Sequence, residues 1–197
     1  IKDAISKKVR CATILSGGFT ESGSEGNDLE KQVFKIAQKG NLRILGPNSI
    51  GLINITDNVI LSANAMLELQ DLKKGSLGVI SHSGSLIGAL LAHGQTRGIG
   101  FSKLVSVGNE SDLSVGEIGK MLVNDPNTES IILFLETLRN SDEVAEMCGM
   151  AHAAGKQIIC YKLGKSELGK ELAKSHTGAI AGNDDAFNAF INHHGIA

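Results

Sequence analysis

Four short segments of this chain are apolar along most of their length, and stretches with helical spacing separate them: "GSLGVIS" (75–81), "FSKLVSVGN" (101–109), "ESIILFLE" (129–136) and "KQIICYKLG" (156–164). A strand with no polar side must be covered on both faces. Such strands alternating with helices predict a parallel sheet with helices on either side. The intervening stretches predict the helices. "SGSLIGALLAHGQTRG" (83–98) ends at Gly98, "SVGEIGKMLVND" (114–125) starts at a Ser114 cap and stops at Asp125-Pro126, and "SDEVAEMCGMAHAAG" (141–155) follows. "NDDAFNAFINHHG" (183–195) reads as a last helix with acids in its first turn.

The first 63 residues carry shorter signals. "RCATILS" (10–16) reads as a buried strand ending at Gly17-Gly18, and "LRIL" (42–45) as another that stops at Gly46-Pro47-Asn48. Between them, "NDLEKQVFKIAQKG" (27–40) has helical spacing, with Asn27 as N-cap, Glu30 three residues on and Gly40 as C-cap. "GLINI" and "NVILSA" read as further short strands. Residues 64–74 form the best boundary, which divides the chain into 1–63 and 75–197.

Composition excludes several classes. Hydrophobic residues are 42% and charged residues 20%, so the chain is neither disordered nor collagen-like. No apolar run nears the roughly 18 residues of a membrane helix. A formal charge of −2 argues against nucleic-acid binding through bulk positive charge. Cys11, Cys148 and Cys160 have no zinc-like spacing, and no metal site is expected. They read as buried, reduced thiols, and with no secretory signal visible the expected compartment is the cytoplasm. Charge is uneven: residues 107–149 hold nine acids against two bases, whereas 156–174 hold five lysines against two acids. The lysine segment leads into Ser175-His176-Thr177-Gly178. It is either a solvated helix face or an attractor for an anion.

Two motifs carry chemistry. "GVISHSGSLIG" (78–88) compresses a strand end, a polar turn and a helix start. Ser83, Gly84 and Ser85 would offer free backbone N–H groups at the positive end of the helix dipole, which suits phosphate or carboxylate. The bland alternative is an ordinary strand–turn–helix corner. The segment is not a Walker A loop. Ser81 and Ser85 replace the glycines of a nucleophile elbow, leaving a Ser83 hydrolase as a minor option. "KSHTGAIAGNDDAF" (174–187) puts His176 in a polar, Gly-rich loop. A loop histidine is commonly just solvated, but neutral imidazole is also a good phosphoryl acceptor near pH 7. That role needs a carboxylate on the other ring N–H, and Glu136, at the end of the most apolar strand, is the candidate. The other five histidines read as structural or solvated. His193 and His194 point about 100° apart on a helix. His82 is the exception to watch, because it adjoins the anion turn.

Together these motifs resemble the NDP-forming acyl-CoA synthetases and the alpha-type portion of succinyl-CoA synthetase. "VRCATILSGGFTESGSEG…LRILGPNSIGLIN" is similar to the end of the family's CoA-binding domain, "GSLGVISHSG…FLETLRN" to its ligase domain, and "KSHTGAIAG" to its phosphohistidine segment. The resemblance implies a flavodoxin-like doubly wound α/β parallel sheet over 75–197, preceded by the C-terminal part of a Rossmann-like CoA-binding domain over 1–63. It implies that His176 is the phosphohistidine and that Glu136 orients it. It also implies that Ser83, Gly84 and Ser85 face the phosphate, and that Ser16, Gly17, Gly18 and Asn48 contact CoA. Ser49 and Gly88 stand where succinate-type enzymes carry Cys and Tyr, so the broader acyl-CoA branch fits better than a succinate enzyme.

The implied reaction forms acyl-CoA from a small carboxylic acid, CoA and ATP or GTP with Mg2+, through an acyl phosphate and a phosphoryl group on His176. The nucleotide is expected on an ATP-grasp subunit or fused domain, and the assembly is expected to be oligomeric. The family's Gly-rich CoA-domain start is not in this sequence, so Ile1 is expected to lie inside that domain and the chain to be inactive alone. A non-catalytic module that senses CoA or acyl-CoA, as in relatives fused to an acetyltransferase, is the competing reading. The presence of both His176 and Glu136 favours the enzyme.

Overall fold

The structure, a computed structural model, describes residues 1–63, 71–164 and 184–197. Two sheets organise them. The smaller contains β1 (Cys11–Thr13) and β2 (Arg43–Leu45), paired in parallel. Helices α1 (Lys2–Ser6) and α2 (Ser24–Lys39) accompany it, with a single 3-10 turn at Thr20–Ser22. Ala37, Leu42 and Ile44 form its core.

The larger sheet has six strands: β3 (Gly51–Asn54), β4 (Val59–Ser62), β5 (Lys74–Ser81), β6 (Phe101–Ser106), β7 (Ser130–Leu135) and β8 (Gln157–Lys162), in the order β4-β3-β6-β5-β7-β8. The β6-β5-β7-β8 portion is parallel, as the apolar runs predict. Helices α3 (Gly84–Thr96), α4 (Val115–Asn124), α5 (Ser141–Ala153) and α6 (Asp184–His193) complete the described elements. Successive strand residues feed opposite faces. Val79 and Leu104 pack with Ile87 and Leu91 of α3, whereas Ile80 and Val105 pack with the α4 and α5 residues Leu122, Val144 and Met147. Read in chain order, the parallel strands run 2-1-3-4, a flavodoxin-like doubly wound arrangement.

Several local readings change. Strands β3 and β4 are hydrogen-bonded antiparallel into the larger sheet, against β6, so residues 51–62 extend the sheet of the following segment. Helix α2 starts at Ser24 behind Gly23 (φ 100°), which leaves Asn27 inside the helix. Glu30 makes no capping box; its carboxylate accepts from the Thr20 N–H, Asn109 and Ser111 instead. The β1 strand is only three residues long and Cys11 is exposed, because β2 is its one partner among the described residues. Cys148 is buried on α5, and burial pushes its thiol up to about 11.

Arg43 fastens the two sheets together. Its guanidinium pairs with Asp112 at 3.0 Å and with both carboxylate oxygens of Glu117 at 2.8 and 2.6 Å. The Ile44 N–H donates to Asp112 at 2.7 Å, and the Leu113 N–H returns a bond to the Ile44 carbonyl at 3.1 Å. Among the described residues no helix is long and apolar enough to cross a membrane.

Candidate functional site at the switch point

In a doubly wound sheet the crevice opens where crossovers leave neighbouring strands in opposite directions. Here that is the carboxyl end of β5, flanked by β6 and β7. Three loops meet there: Ser81-His82-Ser83 after β5, Val107 to Glu110 after β6, and Glu136 after β7. The Gly46-Pro47-Asn48 loop closes over the second of them. The Asn109 N–H donates to the Pro47 carbonyl at 2.9 Å. Gly108 has φ 57°, and a Cβ there would stand 2.1 Å from the Pro47 carbonyl oxygen, so this close approach requires glycine.

The segment after β5 forms the expected strand–turn–helix corner, but the Ser83 N–H is not free as expected: it is spent on Ser81 Oγ. Ser83 caps α3, its Oγ accepting from the Leu86 N–H at 3.4 Å, and lies 3.2 Å from Ser85 Oγ. The buried Ser81 hydroxyl fixes the turn by donating to the Ser83 carbonyl at 2.9 Å and accepting from the Ser83 N–H at 3.0 Å. First-turn N–H groups have no acceptor within their own helix, so those of Gly84 and Ser85 remain available to an anion. Both residues, with Ser83, His82, Asn48 and Asn109, line one cavity of about 290 Å³.

The loop that carries Ser16, Gly17 and Gly18 lies beside that cavity. The Asn48 N–H donates to the Ser16 carbonyl at 3.0 Å, and Asn48 itself is left-handed (φ 55°). The Gly18 N–H, however, is spent on Glu21 at 2.6 Å. Glu136 is half-buried and does not line this cavity. It lines an adjoining small recess with Arg139, and His82, Gly108 and Asn109 belong to both walls. His176 lies outside the described residues.

Sequence reasoning missed a network that ties these loops together. His82 is buried, with its Nε2 2.8 Å from Glu110 Oε2 and its Nδ1 accepting from the Glu136 N–H at 3.0 Å. Glu110 is also buried, and its second oxygen accepts from the Val115 N–H at 2.6 Å. Both ring nitrogens of His82 are thus occupied, and it cannot serve as a base for Ser83. Asn109 is a second hub. Its side-chain amide donates to Glu21 at 2.7 Å and to Glu30 at 2.9 Å, and its carbonyl accepts from Arg139 at 2.6 Å. Burial would raise both acids. Hydrogen bonds outweigh it and hold both below the usual carboxylate range: Asn109 and backbone N–H groups at Glu21, Ser111 and Asn109 at Glu30. The one sequence signal was that "GNE" (108–110) ends an apolar strand; its place beside the 81–85 turn comes from the fold.

No group of three or more potential metal ligands occurs among the described residues. His193 and His194 stack edge to face, with ring centroids 4.8 Å apart.

Residues 74–197 match the family described as the succinyl-CoA ligase like flavodoxin domain. The chain is 33% identical over 190 residues to a 4-hydroxybutyrate–CoA ligase (ADP-forming) of Nitrosopumilus maritimus, covering 96% of this chain and 27% of that protein. It is 35% identical over 185 residues to acetate–CoA ligase (ADP-forming) II of Archaeoglobus fulgidus, covering 93% and 27%. Both alignments span only about a quarter of the relative's length. Among solved structures, the dinucleotide forming acetyl-coenzyme A synthetase 1 of Ca. Korarchaeum cryptofilum, in complex with phosphate and ADP, superposes with a TM-score of 0.86. It is 31% identical and covers 99% of this chain and 41% of that one.

Proposed function

The chain belongs to the family that carries the succinyl-CoA ligase like flavodoxin domain, and from that premise we propose that it is the acid–thiol ligase portion of an NDP-forming acyl-CoA synthetase. We divide it as 1–63, the end of a CoA-binding domain whose strands β3 and β4 complete the ligase sheet, a linker at 64–74 whose last residue opens β5, and the ligase domain at 75–197. The carrying observation is the convergence of Ser83, Gly84 and Ser85 with Asn48 on one cavity at the switch point, with Glu136 one histidine away.

In the proposed reaction, the CoA thiolate attacks an acyl phosphate, the thioester forms and inorganic phosphate leaves. In the reverse direction phosphate displaces the thiol. The acyl phosphate exchanges its phosphoryl group with the neutral imidazole of His176, releasing the carboxylate. Phosphohistidine then passes that group to ADP or GDP on an ATP-grasp domain or subunit. Mg2+ would travel with the nucleotide and shield its phosphates. The roles of this chain are positional. The α3 N-terminus neutralises phosphoryl charge, and Glu136 takes the second ring N–H of His176, which keeps the attacking nitrogen unprotonated. Ser16, Gly17, Gly18 and Asn48 form the thiol-substrate side. The proposed setting is the cytoplasm, where Cys11 and Cys148 stay reduced.

The test is to incubate the full-length protein, with its nucleotide-binding portion, with MgATP or MgGTP and look for acid-labile phosphate on His176. Label that is lost in His176→Ala is the expected result. Absence of label with every nucleotide, together with saturable CoA binding, would establish the sensing module instead.

A further inference from the structure

We infer that His82 and Glu110 form a buried positioning pair, which holds the backbone of Glu136 at a set distance from the phosphate-binding turn. The inference rests on the proposed role of Glu136. It concerns residues to which that role assigns nothing.

The side chains of His82 and Glu110 are 5% and 1% exposed, so neither can answer to solvent. A buried polar pair persists only if every group is satisfied, and here each one is. A backbone N–H can only donate, so the 3.0 Å contact from Glu136 requires an unprotonated Nδ1 on His82. The ring proton therefore sits on Nε2 and is donated to Glu110 Oε2 at 2.8 Å. Glu110 Oε1 accepts from the Val115 N–H, at the first turn of α4, at 2.6 Å. The buried carboxylate charge is thus balanced by a ring N–H and by a helix N-terminus rather than by a cation.

The path runs Glu136 N–H, His82 ring, Glu110 carboxylate, α4 N-terminus. It links the ends of β5, β6 and β7. His82 is also the residue before Ser83, and its own N–H donates to the Phe134 carbonyl of β7 at 3.1 Å, carrying the β5–β7 ladder one residue past the end of β5. One side chain therefore fixes the spacing between the α3 N-terminus and Glu136. Phosphoryl transfer depends on such spacing, because a displacement of about 1 Å can cost on the order of 10²-fold in rate.

Two variants and one spectroscopic measurement test this. In His82→Gln the amide oxygen can accept from Glu136 and the amide NH2 can donate to Glu110, whereas His82→Leu can do neither. In the full-length enzyme, His82→Leu should lower kcat and the single-turnover rate of His176 phosphorylation by about 10²-fold, with the KM for CoA changed less than about 3-fold. His82→Gln should recover most of that loss. A His82→Leu enzyme with wild-type kcat, or a His82→Gln enzyme as slow as His82→Leu, would overturn the inference. The 15N spectrum of histidine-labelled wild-type protein supplies a readout that needs no turnover and no folded variant. It should show His82 as the neutral Nε2–H tautomer, and a proton on Nδ1 would overturn the pairing. If wild type shows that tautomer but never labels on His176, the proposed function fails while the pairing stands.

Discussion

Gly116→Ala isolates one contact on which both the fold and the site depend. Gly116 lies in the first turn of α4, where that helix crosses α5. A Cβ added there would fall 2.6 Å from Glu143 Cβ, 2.7 Å from its carbonyl carbon and 2.9 Å from its carbonyl oxygen. Carbon atoms at ordinary contact sit about 3.5–4.0 Å apart, so the helices must part by about 1 Å. Because the obstacle is largely α5 backbone, no side-chain rotation relieves it, and the crowding cost belongs near the upper end of the usual ~1–3 kcal/mol. Alanine returns about 1 kcal/mol of helix propensity. The net loss is about 2 kcal/mol, or roughly 4–8 °C in Tm for a chain of this size. Gly149 on α5 is the internal control. A Cβ there meets nothing within 4 Å, so Gly149→Ala should keep the propensity gain and raise Tm by about 2–4 °C. Thermal unfolding followed by circular dichroism compares the same substitution in two helices. Opposite shifts are expected. A Gly116→Ala protein that melts at or above wild type, or equal shifts at both sites, would refute the close helix crossing. It would also refute the placement of the α4 N-terminus that holds Glu110.

Other perturbations address the site and its surroundings. Glu136→Gln should leave Tm unchanged and slow His176 phosphorylation by roughly 10²-fold or more, read by quenched single-turnover labelling. Ser83→Ala removes the α3 cap and should cost about 1 kcal/mol, measured by chemical denaturation, with weaker phosphate binding measured by calorimetry. Asn109→Ala leaves Glu21 and Glu30 without their shared donor. It should weaken CoA binding, measured by the same method, because the 16–18 loop loses its tie to the switch point. Asp125 is held down at about 2: burial alone would raise it, but Lys103, Thr128 and the Asn127 N–H outweigh that cost. A depressed carboxylate stabilises the fold above its unfolded value of 3.8, and that contribution is lost as pH falls toward 2. Asp125→Asn should therefore flatten the loss of Tm between about pH 4 and pH 2; an unchanged acid limb would contradict the pairing.

Periodicity and turn chemistry were enough for the elements of the larger sheet. Apolar runs located β5 to β8, and the Ser114 cap located the start of α4. They were also enough for the strand–polar turn–helix corner at 81–85, because that is a local feature. Glu30 illustrates what local reading misassigns. Three residues after Asn27 it looks like half of a capping box, yet its carboxylate is held from residue 111, 81 positions away. Residues 51–62 show the same limit. Two short strands after a turn do not announce which sheet will take them, and pairing with β6 is a choice among edges made in three dimensions.

The sequence by itself determined the described strands and helices that follow residue 74 and the parallel order of β5 to β8, because these follow from hydrophobic period and capping. Only the tertiary structure decided that His82, Glu110 and Glu136 are linked, that both His82 nitrogens are committed, and that Asn109 bridges Glu21, Glu30 and Arg139. The reason is physical. A buried polar group must find its partner wherever the folded backbone brings one within about 3 Å, and sequence spacing carries no record of that distance.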